Sequence, residues 1–166
     1  MNLAEPLLEE LKHEALGTRR MLEQVPFDKL GWQPHEKSMT LGRLAAHICE
    51  IPGWLHETIL QDELDFATAN FTAQPLEEEG ALLQAFDENL QKGIAALQQA
   101  TNENLQAPWT LRQGDEIFLR MARIGVVRGL VLNHVVHHRG QLSVYLRMLN
   151  VRVPGMYGPS ADEMMG

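Results

Sequence analysis

The chain has 166 residues, 45% hydrophobic and 22% charged, with one cysteine and a formal net charge of −8. That length suits a single domain over 1–166 whose core needs no covalent staples. One cysteine excludes an internal disulfide and the Cys-rich zinc modules, and the acidic balance argues against a nucleic-acid partner, because phosphate binding needs a basic surface.

Leu7, Leu8, Leu11, Ala15, Thr18 and Met21-Leu22 recur at helical spacing and predict an amphipathic helix over Leu3 to Gln24, closed by Pro26. The opening residues carry neither a basic leader nor a long apolar run, so a cytoplasmic protein without signal peptide or membrane contact is expected. Phe27 to Met39, with Gly31, Pro34 and Ser38, reads as a loop. Thr40 is placed to cap a second helix bearing Leu41, Leu44, His47, Ile48, Ile51 and Leu55. This helix fades near Gln61, and Pro52-Gly53 should kink it, since Pro52 cannot donate to the carbonyl of Ile48.

From Asp62 to Gln74 the periodicity lapses, which predicts a long irregular connection. The third helix is expected from Leu76 to Ala100, with Leu82, Phe86, Leu90, Ile94 and Leu97 on one face. Thr101 to Phe118, with Pro108 and the turn Gln113-Gly-Asp115, either folds as a short hairpin or wanders. A fourth helix follows from Arg120 to Leu149, and a tail runs past Pro154-Gly155 to Glu163. The prediction is therefore an all-α four-helix bundle, irregular between helices 2 and 3, with the hairpin as an option before helix 4.

Three of the seven histidines, His47, His134 and His138, fall on apolar stripes. His134 and His138 are one turn apart and stack on one helical face. A helical wheel puts both at the centre of the inward face of helix 4, with Gln141 and Tyr145, and sends Arg139 and Arg147 to solvent. A buried imidazole must pair both nitrogens, and a carbonyl, Gln141 or Tyr145 would satisfy a lone one. Three together are hard to satisfy internally, whereas one divalent ion accepts a nitrogen from each. Three histidine ligands leave an open position, as in catalytic sites, and zinc or nickel suits them. Glu50, one turn beyond His47, sits at the edge of its stripe as an outer partner or solvent-facing charge. His137, on the shoulder of helix 4, is a poorer ligand than a lining residue.

His13, His35 and His56 read as surface or loop positions, and Trp32, Trp54 and Trp109 as core or loop anchors. Cys49 points away from the His47 face and reads as an outward, inert thiol. Gly125 and Gly129 fall on the outer side of helix 4, where another helix could approach closely, as across a homodimer.

The segments Trp32-Gln-Pro-His-Glu-Lys-Ser-Met-Thr-Leu-Gly-Arg-Leu-Ala-Ala-His47 and His134-Val-Val-His-His-Arg-Gly-Gln-Leu-Ser-Val-Tyr-Leu-Arg147 resemble characteristic motifs of the DinB-like family of metal-binding four-helix bundles. The tail Val153-Pro-Gly-Met-Tyr-Gly-Pro-Ser-Ala-Asp-Glu163 is similar to that of one branch. The resemblance implies a metal held at the positions of His47, His134 and His138, and commonly a dimer. It also implies kinship with metal-dependent transferases that use a low-molecular-weight thiol. Three functions are carried forward: a thiol-dependent S-transferase with His137, Gln141, Tyr145 and Glu50 around the ligands, a metal-assisted hydrolase, and a non-catalytic metal-binding stress-response module. Direct action on DNA has only the family's name behind it.

Overall fold

A computed structural model describes residues 2–69 and 79–164. Helix α1 spans Ala4–Leu22 and buries Leu7, Leu11, Ala15, Thr18 and Met21 at the predicted spacing. The hydroxyl of Thr40 caps α2, Leu41–Glu50, by accepting from the Arg43 amide at 3.2 Å. Pro52 ends the α-helical ladder as expected, and the chain makes a 3-10 turn over Ile51–Gly53 before resuming as α3, Trp54–Leu60. Helix α4, Glu79–Gln99, crosses that turn closely: a Cβ on Gly93 would collide with the Pro52 carbonyl. Its predicted start at Leu76 lies outside the described residues.

The molecule is mostly helical, and it also carries a small sheet, of which the sequence reading had allowed only the hairpin. Strands β1 (Glu63–Asp65), β2 (Pro108–Gln113) and β3 (Glu116–Ala122) lie in the order β1-β2-β3. The optional hairpin is β2-β3, antiparallel, turning through Gly114 at φ +58°. β1 pairs in parallel with β2, in a stretch predicted to be irregular. Three residues are too few to display a period of two, and their partner lies far along the chain. Between α4 and the hairpin, α5 (Asn102–Gln106) is capped by Thr101, whose hydroxyl accepts from the Asn104 amide at 3.1 Å.

The fourth helix begins later than predicted, because Arg120 and Ala122 pair with Thr110 and Pro108 in the sheet. It starts as α6 (Arg123–Val126), passes through a π-helical turn over Val127–Leu132, and continues as α7 (Asn133–Met148). α1 and α2 each pack against both α4 and α7. One apolar cluster contains Leu44, Ile48, Phe86 and Leu142, a second contains Leu55, Leu97, Val127 and Val131, and Leu90 packs against both. A short helix, α8 (Ala161–Met164), closes the tail, and Asp162 holds it by accepting from Arg147 and from the Val153 amide.

Two buried arginines brace this frame. Arg123 donates to the carbonyls of Thr58, Gln61 and Pro108 and to Asp62, tying α3 and the sheet to the start of the fourth helix. Arg139, predicted to face solvent, is 3% exposed and donates to Glu14, Thr18 and the Tyr157 hydroxyl. The wheel erred through phase. The π turn holds an extra residue, so apolar positions before it do not share an α-helical period with those after it. Beyond the turn the buried face runs through Val135, Leu142 and Leu146, rotated about 70° from the predicted centre toward Arg139.

Cys49 is also buried, not outward, because α4 covers that side of α2 and the thiol donates to the Leu82 carbonyl. Burial raises its pKa, with the charges of Glu50 and Asp87 adding to the shift. Gly129 is exposed with open space around it, whereas Gly125 is half-buried and a Cβ there would press on Met121.

Replacing Arg139 with alanine leaves the nearly buried Glu14 carboxylate without its charged partner and with only the Tyr157 hydroxyl donating to it. Urea denaturation of Arg139→Ala should show a loss of about 3–5 kcal/mol. A loss in the range of an exposed ion pair, about 0–1 kcal/mol, would contradict the bracing role.

Candidate metal centre

His47 comes from α2 and His134 and His138 from successive turns of α7, which packs against α2. One ring nitrogen of each lies within 4.8 Å of the others. His47 is 9% exposed and His138 7%, while His134 sits half-buried at the margin of the rotated face. The rings of His47 and His138 lie 4.7 Å apart between centroids, and those of His134 and His138 4.6 Å apart.

Each outer nitrogen faces an oxygen. Nδ1 of His134 lies 3.2 Å from the Leu130 carbonyl, within the π turn, and Nδ1 of His47 lies 3.4 Å from Oε2 of Glu50. Neither oxygen can donate, so both Nδ1 atoms carry a proton, and in a neutral ring Nε2 is then free to bind an ion. Burial alone would raise the Glu50 carboxyl, but its bonds with His47 and Arg43 outweigh that and hold it below the usual range. Nδ1 of His138 meets Oε1 of Gln141 at 2.7 Å. The Nε2 atoms of His134 and His138 then face each other at 2.8 Å.

At that distance the pair is bridged either by one tautomeric proton, with one neutral ring donating N–H to the other, or by a cation that accepts a lone pair from each. A second proton on either ring is disfavoured. Burial lowers the pKa of both rings, His138 to about 4, and the neighbouring imidazoles lower them further. The donor set therefore fits a metal ion. Among the described residues no carboxylate joins the cluster, since Glu50 serves the outer nitrogen of His47.

Of the surrounding residues predicted, Glu50 and Gln141 touch ligand candidates. His137 is exposed, with its ring centroid 4.8 Å from that of His138. Tyr145 turns elsewhere: its hydroxyl donates to the Met39 carbonyl and its ring meets the edge of Trp32. His13, His35 and His56 are exposed. Trp109 is a buried anchor, donating to the Glu57 carbonyl. Trp54 is more than an anchor, since it packs 5.4 Å from both His47 and His134 and walls the site. Its spacing of seven from His47, two helical turns along one face, was the available signal. Arg43, four residues before His47, was missed in the same way and binds Glu50. A cavity of about 940 Å³ between α3, α4 and β1 shares Glu50 and Trp54 with this cluster, although none of the three histidines lines it.

These features define a mostly helical protein with a three-histidine cluster set between two of its helices. The chain belongs to the DinB family, whose model matches residues 1–165. It is 28% identical over 162 residues to the uncharacterized protein YrdA of Bacillus subtilis, covering 94% of this chain and 89% of that one. A solved DinB-like protein from Bacillus cereus superposes with a TM-score of 0.71 at 26% identity, over 94% of this chain and 98% of the other. The DinB-like protein YjoA of Bacillus subtilis gives a TM-score of 0.67 at 20% identity, over 87% and 92% of the two chains, and supports the fold alone.

The depressed imidazoles give the metal-free protein a defined acid response. Unfolded histidines take protons near pH 6.5, whereas in the fold His138 does so only near 4. Between these values the unfolded chain binds more protons, so stability falls as the pH drops through that window. Urea titrations in chelator from pH 7.5 to 4.5 should show the decline setting in below about 6.5. A flat profile over that range would contradict the burial of these rings.

Proposed function

We propose that the chain is a four-helix-bundle metalloprotein holding one divalent ion, zinc or nickel, on His47, His134 and His138. We further propose that it works in the cytoplasm as a thiol-dependent S-transferase on a small molecule. The convergence of three buried or half-buried imidazoles, two of them with Nε2 atoms 2.8 Å apart, carries this reading. All-nitrogen ligation, with no inward carboxylate among the described residues, favours zinc or nickel over the two-histidine, one-carboxylate iron sites. When bound, such an ion supplies Lewis acidity and lowers the pKa of a thiol or water placed at its open position.

The chain's own residues do the rest. Leu130, Glu50 and Gln141 fix which nitrogen of each ring points inward. Trp54 shields the cluster on one side. Cys49 is buried against Leu82, so a thiolate at the site must come from a separate molecule. This supports an external low-molecular-weight thiol, in line with the transferases that the family resemblance implies. The formal charge of −8 supports a partner other than nucleic acid. Among the described residues no helix is long and apolar enough to cross a membrane.

Elemental analysis of tag-free protein should find close to one zinc or nickel per chain, and His138→Ala should remove both metal and thiol-dependent turnover. Turnover surviving in metal-free His138→Ala overturns the reading. Turnover that needs water but no thiol assigns a hydrolase. Metal that stabilises the fold without any turnover assigns a binding module; at a hundredfold excess over Kd that stabilisation is about 2.7 kcal/mol.

We also infer a homodimer that uses the outer face of the fourth helix at Gly129. A side chain there enters open space and leaves the chain's own packing intact. Gly129→Leu should therefore delay elution from a sizing column, and an unchanged elution volume removes this face from consideration.

A further inference from the structure

The three outer-nitrogen acceptors differ in kind. His134 meets a backbone carbonyl and His138 a neutral amide, whereas His47 meets a carboxylate. That carboxylate is itself held. Arg43, His47 and Glu50 lie on one face of α2, and Nη1 of Arg43 sits 3.2 and 3.1 Å from the two Glu50 oxygens. Glu50 Oε2 thus accepts from Arg43 and from His47 together.

Glu50 is the last residue of α2, where the helix presents its negative end and disfavours a carboxylate. Arg43 opposes that repulsion and keeps the carboxylate folded back along the helix against His47. A carboxylate accepting the outer N–H of a ligating imidazole fixes the ring plane and strengthens its donation to the ion. We propose that Glu50 is the positioning residue for His47, and that Arg43 acts on the metal only through Glu50. This rests on the three-histidine reading of the site.

The side chains of Arg43 and Glu50 are 47% and 32% exposed, so their ion pair adds little to stability by itself. That separates a positioning role from a structural one. Cobalt(II) would be loaded into the intact protein, its visible absorption recorded and its affinity measured by competition with a chelator. Glu50→Gln should weaken cobalt binding about 10–100-fold and shift the absorption bands, with the melting temperature of the metal-free protein unchanged. Arg43→Ala should weaken binding by a smaller factor in the native background and by none in the Glu50→Gln background, since a residue acting through another is non-additive with it.

His47→Ala is the control. If it still binds cobalt as the native chain does, the three-histidine reading fails. If it loses cobalt while Glu50→Gln binds normally, only the present inference fails. Equal effects of Arg43→Ala in both backgrounds overturn the claim that Arg43 works through Glu50. A fall in the metal-free melting temperature matching the affinity loss overturns positioning in favour of a structural role.

Discussion

An imidazole packed between helices has two nitrogens to satisfy, and at this site the outer one is taken in every ring. The Leu130 carbonyl, the Glu50 carboxylate and the Gln141 amide each claim an Nδ1, which leaves the inner nitrogens of two helices turned toward a common point. There the Nε2 atoms of His134 and His138 meet at 2.8 Å, and burial keeps both rings from taking up a second proton. The remainder of the molecule serves this constraint. Ile48 and Leu142 are fully buried in one apolar cluster, so α2 and α7 cannot slide past each other without opening the core.

The opposite flank of α7 meets the same demand with a different device. Arg139 follows His138 directly and is just as buried, but it faces α1 and finds its partners in Glu14, Thr18 and Tyr157. Tyr157 belongs to the tail, and Arg20 adds a bond to the Gly155 carbonyl, so the segment after α7 folds back against α1. One helix therefore carries an imidazole cluster on one side and a satisfied guanidinium on the other. Both sides resist its rotation about its own axis, which sets where His134 and His138 aim.

Much of this could be read from the chain. The spacing of His134 and His138 and the place of His47 between Leu44 and Ile51 were enough to bring the three together, because apolar periodicity reports which face of a helix is covered. Pro52 and Thr40 acted locally, and local signals survive folding. What escaped notice depended on partners distant in sequence. β1 exists because β2 lies beside it, Cys49 is covered because α4 crosses α2, and the closeness of Trp54 to two imidazoles needs both helices in place. Arg139 was misplaced for a subtler reason. A wheel assumes one period, and this helix has two phases.

That change of phase sits between the two ends of the molecule. Before the π turn, Arg123 anchors the helix to the sheet; after it, His134 and His138 answer α2, and the Leu130 carbonyl that orients His134 belongs to the turn itself. The extra residue works as a rotational spacer. Because a single residue amounts to about 100° of helical rotation, its removal would swing the sheet-bearing end around the histidine-bearing end while both kept their own apolar faces. The two halves of the rod are thus indexed to each other by chain length as well as by packing, since Val127 and Val135, on either side of the turn's centre, share one apolar cluster.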